Sequence, residues 1–324
     1  MKTLRKFLAA LFAFGTIAVA HGQSNIWKVY HAGATGLPGD IVTALACDSL
    51  GNIWIGTDGK GTGMFNGAEW VSYRGGEAQV ESIVSSITIS PAGDAFIGYN
   101  GGGGVGAVIH KTFSKFTKKD VELPANNVQD VACDIRGNLW VATTRGLATR
   151  SHDGTWRIER DLDLPSKEIA AIAVDRLGHP WMSFLEKKGL AYYNGNSVVY
   201  YTSENSTFPD TRVLDLDVAA DGTVWAATEE SGLVQFDKVT ATKYTTDNCA
   251  IPGNKVYSIA LARGGKMWVG TGSGAGYFDG QHWTAFTQEN SPLPSNTVFS
   301  VTFDQKGRGW FGTQDGMARV TVGD

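Results

Sequence analysis

Residues 123–143, LPANNVQDVACDIRGNLWVAT, spell out a complete piece of local structure. Pro124 cannot donate a ladder hydrogen bond and biases Leu123 toward an extended shape, so the pair suits a loop that delivers the chain into a strand. Val128, Val131 and Cys133 supply that strand's apolar positions, the last two alternating with period two. Asp134-Ile135-Arg136-Gly137 reads as a tight turn closed by a glycine at positive φ, and Leu139 to Thr143 as the returning strand with Trp140 near its start.

The same grammar recurs through the chain. The segments GNIWIGT, GDAFIGY, GNLWVAT, GHPWMSF, GTVWAAT, GKMWVGT and GRGWFGT place Trp54, Phe96, Trp140, Trp181, Trp225, Trp268 and Trp310 at intervals of 41–44 residues. That period fits one four-stranded propeller blade and is too long for a leucine-rich or ankyrin unit. An apolar residue and Pro stand seventeen residues ahead of six of the aromatics, the second copy having Gln79-Val80 instead. Two residues after each aromatic the side chain is small (Gly56, Gly98, Ala142, Ser183, Ala227, Gly270, Gly312), which would let a neighbouring blade approach. Turns such as Asn66-Gly67, Asn194-Gly195 and Asp279-Gly280 then join a third strand to a fourth. The expected fold is all-β: a seven-bladed β-propeller of four-stranded antiparallel blades, one domain over residues 21–324.

The two ends of the chain bear on closure. The last copy, WFGTQDGMARVTVGD, supplies only three strands, while Ile26-Trp27-Lys28-Val29-Tyr30 resembles the outer strands Glu69 to Tyr73 and His282 to Phe286. Residues 26–30 are therefore expected to complete the last blade, with Trp27 close to Val320, and leave no unpaired edge at the seam. A linear solenoid would need polar capping repeats, and none is visible. An aromatic repeated seven-fold at one position is expected to pack between blades, not to bind a ligand.

Composition narrows the function. Forty-one glycines, with ten Trp, ten Tyr and fifteen Phe, suit short strands and tight turns, and a formal charge of −4 argues against a nucleic-acid partner. Lys2, Arg5 and Lys6 followed by the apolar run Phe7 to Ala20, ending Ala18-Val19-Ala20, read as a cleaved secretion signal over residues 1–20, hence a periplasmic or secreted protein. That run is shorter than the roughly 20 residues needed to cross a bilayer, so no membrane span is expected. Cys47, Cys133 and Cys249 are too few for a disulfide framework, and the first two read as apolar filler.

The repeats resemble the two-component regulator propeller repeat: Leu-Pro, a polar pair, Val, a short strand, Asp-x-x-Gly-Asn-x-Trp-x-Gly-Thr and then Gly-Leu. Leu123 to Thr143 followed by Gly146-Leu147 is a close match, and the resemblance is strong in copies 1, 3, 6 and 7 and weak in copy 2. It implies kinship with periplasmic sensor regions of hybrid histidine kinases, which often recognise oligosaccharides. This chain departs from that arrangement in having one propeller where those sensors usually have two, with neither an immunoglobulin-like module nor a kinase in the sequence. What the resemblance leaves is a recognition propeller for an oligosaccharide or a partner protein.

In such a fold the loops leading into the inner strands and those after the second strands share one face around the axis. Two rows of residues there vary between copies while scaffold positions do not. One row holds Ile41, Ile83, Asn127, Glu168, Arg212, Lys255 and Thr297; the other, two residues further in, holds Thr43, Ser85, Gln129, Ala170, Leu214, Tyr257 and Phe299. The loops after the second strands add Asp58, Lys60, Tyr99, Asn100, Arg145, Glu186, Glu229, Gln314 and Asp315. The ligand-binding candidates are Asp58, Tyr99, Asn127, Gln129, Arg145, Glu168, Glu186, Arg212, Glu229, Lys255, Tyr257, Phe299 and Asp315, whose charges, amides and aromatics suit a sugar. A solvated rim or a protein-binding scaffold is the alternative.

Signals for catalysis are weak. Streptogramin lyase, a seven-bladed enzyme of similar period, is the enzymatic alternative, but its chemistry needs a histidine base and only His31 lies on the funnel side. Asn100-Gly101-Gly102-Gly103-Gly104-Val105-Gly106 lacks the Gly-Lys-Ser/Thr ending of a phosphate loop. No Cys/His spacing suits zinc and no calcium-hand loop is present, so neither cofactor nor metal is expected.

Overall fold

The computed structural model describes residues 25–73 and 83–323. The expected signal segment and Gln79-Val80 lie outside them. The described residues form seven four-stranded antiparallel sheets, one for each predicted copy. The inner strands are Val42–Cys47, Ile83–Ile89, Val128–Cys133, Ile169–Val174, Val213–Val218, Val256–Leu261 and Val298–Phe303, of blades 1 to 7 in order. Neighbouring inner strands pack around a common axis, and blade 7 packs against blade 1.

The ring closes as expected. The N-terminal strand Ile26–Tyr30 pairs antiparallel with Gly316–Thr321, setting Trp27 opposite Val320. Trp27 then lies against Phe286 and Phe311, with ring centroids 5.6 and 5.7 Å away, and Tyr30 stacks on Trp310 at 5.7 Å. Aromatic pairs at these separations add to the apolar area they bury.

The repeated residues have the packing roles their pattern implies. The row aromatics are buried except for Trp140, which is half-buried, and each cluster they join spans two blades. The small residue after each aromatic faces the inner strand of the following blade: a Cβ on Gly98 would come within 2.9 Å of Val128 Cγ1, and one on Gly312 within 2.6 Å of Val42 Cγ1. The turn aspartates explain the Asp-x-x-Gly-Asn signature. Asp48 accepts the backbone N–H of Leu50 and Asn52 through Oδ1 and the indole N–H of Trp54 through Oδ2, while Gly51 closes the turn at φ 84°. Asp304 repeats the arrangement with Lys306, Arg308 and Trp310.

Cys47, Cys133 and Cys249 are free thiols, each half-buried. Burial pushes the Cys47 thiol up to about 11 and the Cys133 thiol to about 12, as befits filler positions.

Candidate functional site

The edge of each inner strand facing the axis has no fifth strand to pair with, and side chains supply the missing bonds. Thr43 Oγ1 donates to the Val84 carbonyl (2.7 Å) and Ser85 Oγ to that of Val128 (2.9 Å). Asp130 accepts the N–H of Ile172 (2.8 Å), and Ser183 Oγ reaches the carbonyl of Val213 (3.5 Å). Asp215 accepts from Ile259 (2.8 Å), Ser258 from Val301 (3.3 Å) and Ser300 from Leu45 (2.9 Å). All seven blade junctions are bridged, each time from a side chain of one blade to the backbone of the next. Thr43, Ser85, Asp130, Asp215, Ser258 and Ser300 line an axial cavity of about 380 Å³, whereas Ser183 bridges from the second strand of blade 4.

Asp130, Asp215 and Asp217 touch this cavity but are enclosed by protein on every other side. Enclosure raises the Asp130 carboxyl to about 6, against bonds from Ser86 and from the backbone of Ile172 and Val131. It raises Asp215 to about 8, with the neighbouring Asp130 and Asp217 adding to the shift, and Asp217 also moves upward. These carboxylates were not among the sequence candidates. A signal existed: ten residues before the row aromatic, five of seven copies carry Ser or Asp (Ser86, Asp130, Asp215, Ser258, Ser300) where a plain strand reading treats the position as ordinary alternation.

The register of the inner strands explains the variable row. Every inner strand pairs irregularly with its neighbour at one place, between Val42 and Ala44, Val84 and Ser86, Val128 and Asp130, Ile169 and Ile172, Val213 and Asp215, Val256 and Ser258, and Val298 and Ser300. The residues skipped are Thr43, Ser85, Gln129, Ala170 with Ala171, Leu214, Tyr257 and Phe299. A bulge leaves its extra residue outside the ladder and re-aims the side chain, here toward the axial cavity that each bulge contributes to.

Above this level the backbone fixes the funnel rim. The carbonyls of Ile41, Asn127, Glu168, Arg212, Lys255 and Thr297 accept the N–H of Asp58, Thr144, Leu185, Glu229, Gly272 and Gln314. The two sets of loops therefore do share one face. Among the sequence candidates, Arg212, Glu229, Lys255, Tyr257 and Phe299 come together around a second cavity of about 370 Å³, with Ile83 and Asn100 on its wall. Glu229 stands 3.4 Å from Lys255 Nζ and 3.9 Å from Arg212 Nη1, Lys255 Nζ lies 5.3 Å from the Tyr257 ring centre, and Tyr257 meets Phe299 edge-on at 5.5 Å. Arg212 Nε is buried without a partner.

The other candidates are dispersed. Gln129 lines the axial cavity, and Asn127 Oδ1 accepts the N–H of Gly101 at 2.9 Å. Asp58, Arg145, Glu168, Glu186 and Asp315 are exposed on the rim, Glu186 paired with Lys188 at 3.3 Å. Tyr99 does not reach the funnel. It occupies the position held in five blades by the buried Thr57, Thr143, Thr228, Thr271 and Thr313, so it is wholly buried between blades 1 and 2, its hydroxyl 3.4 Å from Thr62 Oγ1. Counting that position against the Gly-Thr of the other copies would have placed Tyr99 in the core.

The pattern of the two-component regulator propeller matches residues 36–59, 122–145, 250–273 and 292–315. Four of the seven blades thus carry the match. They are blades 1, 3, 6 and 7, and each match runs from the leading loop through the bulged inner strand to the loop after the second strand, the part of these blades that builds the funnel. No curated protein matches the sequence. Among solved structures, the chain is similar to the extracellular domain of a hybrid two-component system from B. thetaiotaomicron at 20% identity and a TM-score of 0.76, covering 90% of this chain and 40% of that one. It thus spans about two fifths of that domain's length. A streptogramin B lyase is similar at 14% identity and a TM-score of 0.75, covering 92% of this chain and 98% of that one. A catalytically inactive virginiamycin B lyase from Staphylococcus aureus, solved with quinupristin, gives 14%, 0.73, 92% and 100%. At these identities the likeness is one of fold. Among the described residues, no histidine lines either of these two cavities, no cluster of His, Cys, Asp and Glu is arranged to hold a metal ion, and no helix is long and apolar enough to cross a membrane.

Proposed function

We propose that the propeller is an extracytoplasmic recognition module that binds a glycan-like ligand in the funnel between blades 5, 6 and 7. The observation that carries this reading is the convergence of Arg212, Glu229, Lys255, Tyr257 and Phe299 on one cavity. An edge-on aromatic pair offers apolar faces to a sugar ring, and three charged side chains around it offer hydrogen bonds to hydroxyls or to a ring carboxylate. The repeat family and the extracellular origin of the B. thetaiotaomicron domain accord with a sensor-type role outside the cytoplasm, and the signal-like residues 1–20 point to the same place.

Thermal-shift screening against neutral and acidic oligosaccharides tests the reading, because a ligand that favours the native state raises the melting temperature. For any saccharide that raises it, the variant Arg212→Ala/Lys255→Ala/Tyr257→Ala should lose the shift. Retention of the full shift in that variant removes the funnel site. The exposed, mixed-charge rim formed by Asp58, Arg145, Glu168, Glu186 and Asp315 favours a second reading, a protein partner docked over the funnel, which an absence of shift across the panel would support. A lyase-like activity is disfavoured because, among the described residues, no side chain lining the funnel is a histidine base. His31 sits instead 3.8 Å from Asp40 beside the last blade's outer strand.

A further inference from the structure

On the face opposite the funnel, the junction where blade 7 meets blade 1 holds a cavity of about 270 Å³. Its floor is apolar: Ile53, Phe65 and Trp310 are all buried. Leu50 stands at the rim, 86% exposed at the tip of the blade 1 turn. The remaining lining includes three cations, Lys306, Arg308 and Arg319, and one carboxylate, Asp304.

That carboxylate is already committed. Arg308 Nε donates to Asp304 Oδ2 at 2.6 Å and Trp310 Nε1 at 2.8 Å. Burial works against the charged form of Asp304, yet these bonds outweigh it and hold the carboxyl below its usual range. Arg319 has no such partner. Its guanidinium lies 5.7 Å from the Trp310 ring centre, and its Nε is buried with nothing to bond to. The hydroxyl of Tyr30, also buried and unpartnered, feels both Arg319 and Arg308.

The repeat supplies an internal comparison. Arg319 is the cross-strand neighbour of Trp310, and the same place beside Trp181 and Trp268 belongs to Tyr192 and Tyr277, whose rings lie 4.6 and 4.5 Å from the indoles. The scaffold position accepts an aromatic, so packing does not demand an arginine there. A guanidinium that lines the cavity with no carboxylate partner, beside surplus positive charge and above an apolar floor, is arranged for an anion that brings an apolar group with it.

We propose that this junction is a second binding site, independent of the funnel, for an organic carboxylate bearing a compact apolar group, either a small acid or the C-terminal residue of a peptide. Arg319 takes the carboxylate, and the apolar group lies over Phe65 and Ile53 beneath Leu50. Titration of the whole ring with N-acetyl-leucine, N-acetyl-leucinamide and glucuronate, followed by calorimetry, tests it. N-acetyl-leucine should bind saturably and at least about ten-fold more tightly than either the neutral amide or the polar acid. Arg319→Gln should erase the preference of acid over amide. Leu50→Asp, at an exposed tip where the fold is not at risk, should weaken N-acetyl-leucine about ten-fold with an unchanged melting temperature. A peptide ending in leucine that binds more tightly than N-acetyl-leucine assigns the site to chain termini, and equal binding assigns it to small acids. Equal affinity for acid and amide, no saturable binding of N-acetyl-leucine, or undiminished binding in Leu50→Asp overturns the proposal.

Discussion

Val84 of blade 2 occupies the space where Gly56 of blade 1 would carry a side chain. A Cβ on Gly56 would collide with Val84 Cγ1, and the backbone there is not left-handed, so the glycine is required by packing alone. Gly56→Ala should destabilise the ring by about 1–3 kcal/mol, the range for overpacking a filled core. Gly312→Ala, facing Val42, should behave alike. An unchanged denaturation midpoint for both would show that the blades are not packed at this distance.

The seam should be as stiff as any other junction. Trp27 wedges between Phe286 and Phe311, and Trp181 is 1% exposed in blade 4. Truncating Trp181 to Ala should cost about 3–5 kcal/mol, and Trp27→Ala about 3, since Trp27 is only half-buried. Chemical denaturation reads both. A negligible loss for Trp27 would mean that the N-terminal strand does not hold the ring closed.

What could be foreseen in the sequence follows from what repetition records. Seven blades, the closing strand and the glycine turns were legible because each depends on residue types recurring at a fixed spacing. Tyr99 misled because it sits next to a loop, though its alignment with Thr57 and Thr143 shows it to be a core residue. Asp130 and Asp215 went unread because their partners, the N–H groups of Ile172 and Ile259, lie on another blade, and the recurrence of Ser or Asp ten residues before the row aromatic is the one trace they leave in the sequence. The bulges were visible only as variability at Gln129, Tyr257 and Phe299, since a pairing irregularity has no residue signature of its own.

Glu229 stands between Arg212 and Lys255, the two cations that line the upper cavity, and offsets part of their charge. In Glu229→Gln, affinity for an acidic saccharide should rise several-fold and affinity for a neutral one should change little. Calorimetry with a matched uronate and neutral sugar separates these outcomes. Equal effects on both would show that Glu229 acts on the sugar hydroxyls and not through charge.

The axial carboxylates predict a dependence on pH. Asp130 and Asp215 hold their protons more tightly in the folded ring than in the unfolded chain, where carboxyl groups titrate near ~4. Their contribution to stability is therefore greatest below about pH 4, declines as pH rises toward about 8, and levels off above. Each group contributes at most about 1.4 kcal/mol per pH unit within its own window, and the two titrate as an interacting set. Between pH 5 and 8 the melting temperature should fall more steeply in the natural protein than in Asp215→Asn. Parallel profiles would mean that Asp215 is ionised throughout.

Labelling with a thiol reagent at neutral pH should be slow at Cys47 and Cys133, whose thiols are held protonated by burial. Rapid stoichiometric modification of the folded ring would contradict their placement.

The skipped residue in each inner strand separates two kinds of selection. Because Tyr257, Phe299 or Gln129 takes no part in the neighbouring ladder, exchanging one for another should change the lining of the axial cavity with little consequence for whether the ring folds. Blades 3, 5, 6 and 7 thus each offer the shared chamber one side chain that can be exchanged by itself, whereas Thr43 and Ser85 also tie their blades to the next, so the chamber's lining can change one substitution at a time.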